Sequence, residues 1–86
     1  MAQIDISAGQ CRAARALLDW SRETLAEASR VGLRTLVDFE RGARKARGVT
    51  LDALRRALET AGVEFTNGDQ PGVRLRKGHF PTPGSP

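Results

Sequence analysis

The chain has one cysteine, one histidine and one tryptophan among its 86 residues. A single cysteine, Cys11, excludes an intramolecular disulfide and a cysteine-based zinc cage. Cys11 falls at an apolar helical position, which suits a small core residue better than a nucleophile. The histidine, His79, sits in a Gly- and Pro-rich stretch, whereas a Cys–His nucleophilic pair needs both groups in one packed cleft. Long hydrophobic runs are missing as well. None approaches the roughly 20 residues that cross a bilayer, and no signal-peptide pattern opens the sequence. The expectation is a cytoplasmic protein. The sequence holds no metal-ligand spacing, no phosphate-cradling glycine loop and no carboxylate pair with a supporting cleft. No enzyme activity, cofactor or metal is therefore expected.

What is present fits one small folded domain, because a chain of this length has too little interior for two cores. Charged residues make up 28% and the hydrophobic set 40%, an ordinary globular balance. Fourteen Lys and Arg against ten Asp and Glu give a formal charge of +4, a modest bias towards a polyanionic partner. The distribution says more. RGARKAR (41–47) gathers Arg41, Arg44, Lys45 and Arg47 with no acid among them. Such a run is either a solvated loop or a cationic contact surface.

Residues 1–6 read as a lead-in. Ser7 followed by Gln10 makes a capping-box pattern, and a helix over about 8–19 carries Cys11, Ala14, Leu17 and Leu18 on one apolar face. Ser21 caps a second helix to about Ala28, with Trp20 and Leu25 spaced as a hydrophobic staple. Ser29, Arg30 and Val31 form a short connection. Gly32 opens a third helix to about Arg41, in which Leu36 and Phe39 face inward, and Gly42 suits its C-terminal cap. Thr50 is expected to cap a fourth helix, with Val49 and Leu54 as a second staple. Leu51, Leu54, Ala57, Leu58 and Ala61 share one side of it, and Gly62 ends it.

Beyond Gly62 the period changes. VEFT (63–66) and VRLR (73–76) alternate apolar with polar residues around the turn-forming NGDQPG, which predicts an antiparallel hairpin. The hairpin element is taken as 63–77, and GHFPTPGSP (78–86) reads as a disordered tail. A two-stranded ribbon alone is marginal in water. Val63, Phe65, Val73 and Leu75 therefore either pair with a second subunit or cap the core of one.

Four short-linked helices, the second and third joined by a tight turn, form the arrangement of a helix-turn-helix reader over residues 7–62. One helix lies across the phosphate backbone so that the next can enter the major groove. The fold class expected is mainly α, a four-helix repressor-like domain with a short C-terminal β-hairpin. In WSRETLAEASRVGLRTLVDFERG, Ser21, Leu25-Ala26, Val31, Leu36, Glu40 and Gly42 stand in a combined register. The segment from about residue 10 to 62 resembles the phage-repressor and Cro-like helix-turn-helix family, also called the XRE family.

The resemblance implies roles. Arg15 of the first helix would pair with Glu40 at the end of the third, a structural ion pair. Ser21 and Arg22 would meet a phosphate at the start of the second helix. Base contacts would come from the outer side of the third helix, that is from Gly32, Leu33, Arg34, Val37 and Asp38, with Thr35 on the backbone. Arg41, Arg44, Lys45 and Arg47 would follow the sugar-phosphate chain. Three positions depart from the family's habits. Arg30 stands for a frequent turn glycine, Gly32 for a frequent serine, and Asp38 for Arg, Gln or Lys. Arg34 is the one strong donor on the outer face, suited to guanine or to a phosphate. Leu33 and Val37 can touch a thymine methyl or bury against a protein.

The resulting expectation is a DNA-binding transcriptional regulator, most simply a repressor bound as a homodimer to an inverted repeat of double-stranded DNA. The competing expectation is a protein-binding module on the same fold, an antitoxin or anti-activator. A regulatory protein partner is compatible with both.

Overall fold

Ser7 starts the first helix through a reciprocal pair of bonds. Its hydroxyl accepts from Gln10 N at 3.0 Å, and Gln10 Oε1 accepts from Ser7 N at 2.9 Å, satisfying two end donors at once. A computed structural model describes residues 6–66 and 70–76. The lead-in residues 1–5, part of the turn (67–69) and the stretch 77–86 with His79 lie outside the described residues. The element order is α1 (Ala8–Leu18), α2 (Arg22–Ser29), α3 (Leu33–Glu40), α4 (Gly48–Thr60), β1 (Val63–Thr66) and β2 (Gly72–Leu75).

The core is built from Ile6, Cys11, Ala14, Leu18, Leu25, Leu36, Phe39, Leu54, Leu58 and Val63. α1 packs against α3, α4 and the hairpin, while α2 packs against α3 and α4. Trp20 rests partly buried against this core. Two details differ from the sequence reading. Leu17 is exposed, and Gln10 takes a buried place on α1 instead. Ile6, the last residue of the expected lead-in, is a core residue.

The start of α4 also differs. Its N-cap is Arg47, whose carbonyl accepts from Leu51 N at 2.9 Å, so Thr50 lies inside the first turn. Val49 is 73% exposed and forms no staple with Leu54. The backbone of Arg47 begins the helix with no side-chain cap, so the threonine was a signal one turn late.

The hairpin is antiparallel, with Val63 opposite Leu75 and Phe65 opposite Val73. Val63 is buried, and Phe65, Val73 and Leu75 pack partly buried against the core. This apolar face caps the helices of its own chain. Val63 is thus an interior residue, unavailable as it stands to a second subunit. Gln10 fastens the far end of the ribbon: its Nε2 donates to Thr66 O at 3.0 Å and to Gly72 O at 3.2 Å.

Candidate nucleic-acid interface

The turn between α2 and α3 is short because Arg30 bends it. Arg30 ends α2 in the left-handed region at φ 61°, a conformation that disfavours a residue with a Cβ. Ser29 supports the bend, donating from Oγ to Leu25 O at 2.7 Å and accepting from Val31 N at 3.3 Å. Gly32 then caps α3 with backbone alone.

α3 has a clear inside and outside. Leu36, Phe39 and Glu40 are buried. Leu33, Arg34 and Thr35 are exposed, and Val37 and Asp38 are half-buried. Arg34 Nε lies 3.9 Å from Asp38 Oδ2, one turn along. The helix closes at Gly42 (φ 74°), with Gly42 N donating to Phe39 O and Ala43 N to Asp38 O at 3.0 and 2.9 Å. That double bond is a Schellman ending, and it turns the chain out into the basic segment. Arg41, Arg44, Lys45 and Arg47 are all exposed.

Behind this surface sits one buried carboxylate. Arg15 donates bidentately to Glu40, from Nε to Oε2 and from Nη2 to Oε1, both at 2.8 Å. Its third nitrogen donates to Trp20 O at 3.1 Å. Cys11 Sγ donates to Glu40 Oε2 at 3.1 Å, and Arg22 Nε donates to Oε1 at 3.1 Å. Arg12 donates to the backbone carbonyl of Glu40. Burial alone would raise the Glu40 pKa. The bonds from Arg15, Cys11 and Arg22 outweigh it, and the carboxyl is held below its usual range. The Cys11 thiol is pushed far up, first by burial and then by its bond to Glu40.

The sequence-predicted residues thus fall into three groups. Leu33, Arg34, Val37 and Asp38 lie together on the outer side of α3, with Thr35 beside them. Arg41, Arg44, Lys45 and Arg47 follow in one exposed segment. Ser21 is exposed, but its hydroxyl already accepts from Thr24 N at 3.0 Å. Arg22 is the displaced one, because its Nε is turned inward to Glu40. It still keeps 40% of its side chain exposed. Arg22 and Arg15 line a dent of about 350 Å³ with Glu23, Leu33 and Val37, between the start of α2 and the outer side of α3. The roles of Cys11 and Arg12 at Glu40 were missed. Their spacing with Arg15 on one helix was the available signal, but it gave no sign of which charge they would meet.

A helix-turn-helix family model matches residues 12–65, more than half of the chain. The chain belongs to the XRE helix-turn-helix family. The family unit is a DNA-binding domain of transcription regulators, and the match runs from α1 through β1. A search of curated proteins found no match to the chain. No helix among the described residues is long and apolar enough to cross a membrane.

Proposed function

We propose that this XRE-family protein is a sequence-specific regulator that binds double-stranded DNA as a homodimer and represses transcription by occupying a promoter in the cytoplasm. α3 enters the major groove. Leu33, Arg34, Val37 and Asp38 meet base edges, while Thr35 and Ser21 meet the backbone. Arg22, Arg41, Arg44, Lys45 and Arg47 neutralise phosphates on either side. The observation that carries this reading is the outer side of α3, exposed at Leu33, Arg34 and Thr35 and continued by four exposed cations without an intervening acid.

A single domain of this size has a small footprint, so two copies on an inverted repeat, about one helical turn apart, supply the discrimination. Val63 is interior, so a dimer contact through the hairpin would run over the partly buried Phe65, Val73 and Leu75.

A gel shift with DNA from upstream of the protein's own gene tests the proposal. Specific retardation is expected, weakened in Arg34→Ala, with a log–log salt slope near −7 if each subunit neutralises about four phosphates. Absence of a shift with any duplex, together with a co-purifying protein, would overturn it in favour of a protein-binding module.

A further inference from the structure

Asp38 is the one acid on the outer side of α3, where phosphates would repel it, and its surroundings give it work to do. Its side chain is only 24% exposed, whereas that of Arg34, one turn earlier, is 87% exposed. The nearest approach joins Asp38 Oδ2 to Arg34 Nε at 3.9 Å. The approach is through Nε, the nitrogen nearest the aliphatic stem, and the two terminal nitrogens remain to donate. They form the fork that matches O6 and N7 of guanine.

Leu33 and Val37 lie beside that pair. At about 100° per residue, Leu33 and Val37 form one stripe along α3 and Arg34 and Asp38 the next, roughly a quarter turn away. Leu33 is 41% exposed although it is a large apolar residue at the start of the helix. It lines the dent shared with Val37, Arg22 and Glu23. An apolar stripe exposed at Leu33 and half-buried at Val37, on the helix face next to a guanine-reading fork, has one natural counterpart in the major groove, the 5-methyl group of a pyrimidine.

We infer that the half-site contains a guanine with a thymine directly next to it. Arg34, steadied by Asp38, takes the guanine, and the Leu33–Val37 stripe takes the thymine methyl. The inference rests on the major-groove reading above. Its chemistry concerns the methyl rather than thymine as such, so a 5-methylcytosine at that place satisfies the same stripe. Asp38 is a positioning residue towards that guanine: it sets the guanidinium and does not itself touch the guanine.

The test begins with selection by the full chain from a randomised duplex library. Enriched duplexes are expected to share a guanine–thymine neighbour pair in each half-site. In the enriched duplex, replacing that thymine by deoxyuridine removes only the methyl and should weaken binding about fourfold per half-site. Replacing the T·A pair by C·G should also weaken it, and methylating that cytosine at C5 should restore part of the loss. Leu33→Ala should narrow the difference between thymine and deoxyuridine duplexes, and Leu33→Ala with Val37→Ala should abolish it. Asp38→Asn should lose preference for the guanine over adenine by about twofold, while its affinity for mixed-sequence DNA stays unchanged or rises. All the substituted positions lie on the outer side of α3, so a circular dichroism melt serves to show that each variant is folded. Equal binding of thymine and deoxyuridine duplexes by the parent chain would overturn the methyl contact. Unchanged guanine preference in Asp38→Asn would overturn the positioning role. An enriched site with no such neighbour pair sinks the inference alone, whereas enrichment of no duplex at all sinks the major-groove reading with it.

Discussion

Arg22, the first residue of α2, donates from Nε to Glu40 Oε1 at 3.1 Å, so the start of one helix is tied to the end of the next. Arg22 also lines the dent between α2 and α3 and keeps 40% of its side chain exposed. A phosphate there would meet a cation already held in place, with less side-chain entropy to lose on binding. Arg22→Ala should lower DNA affinity and reduce the salt slope by about 0.9 per subunit. Arg22→Lys keeps the charge and loses the Nε tie, so affinity should fall with the slope unchanged. Binding titrations at several salt concentrations measure both quantities, and parental values for Arg22→Ala would contradict the role.

Glu40 is buried among Arg15, Arg22 and Cys11. Glu40→Gln leaves the buried side of Arg15 without its counter-charge, and breaking such a pair destabilises by about 3–5 kcal/mol. A melting temperature lower by about 12 °C or more is expected in a calorimetric scan. The acid limb follows from the sign of the shift. Because the folded carboxyl is held below its unfolded value, its stabilisation is fully present above the unfolded value of about 4.3. It is lost as pH falls from there through the folded value. Denaturant titrations from pH 6 down to pH 2 should show this loss, and Glu40→Gln should show much less of it.

Cys11 is a thiol that donates to a carboxylate in a closed interior. Its raised pKa keeps it protonated in the folded state. Native protein should therefore resist a thiol reagent at pH 8 and react fully in denaturant. The same shift makes folding less favourable as pH climbs past the unfolded thiol value of about 8.5. Cys11→Ala removes one donor from Glu40 Oε2 and should destabilise by about 1–3 kcal/mol. Rapid labelling of the native protein would show that the pocket around Cys11 opens.

Arg30 holds a left-handed conformation with an exposed side chain. Glycine adopts that conformation without the Cβ clash, which is worth about 1–2 kcal/mol, less the extra entropy of an unfolded glycine. Arg30→Gly should raise the unfolding free energy by up to about 1 kcal/mol in a denaturant titration. A loss of stability would mean that the Arg30 side chain supports the turn.

Much of this architecture is written in local signals. Ser7 with Gln10, Ser21 before α2, and Gly42 after α3 each act within one helical turn, and α1, α2 and α3 each lie within a residue or two of their expected spans. The misses have physical causes. Arg47 starts α4 through its backbone, which leaves no side-chain signal, so Thr50 was the nearest capping residue to read. Leu17 and Gln10 exchanged expected places because Gln10 bonds to Thr66 and Gly72, which are remote in sequence. The cluster at Glu40 joins α1, α2 and α3, and residue spacing within one helix does not reveal a partner on another. The apolar face of the hairpin was visible as an alternation. What covers it was decided by packing, and α1 and α4 cover it.

Amide chemical-shift mapping of the labelled protein with a duplex from upstream of its own gene tests the central claim most directly. The account predicts the largest changes at Ser21 and Arg22, along Leu33–Asp38 and through Arg41–Arg47. Changes concentrated on the hairpin, or none on α3 at a duplex concentration that saturates binding, would contradict it.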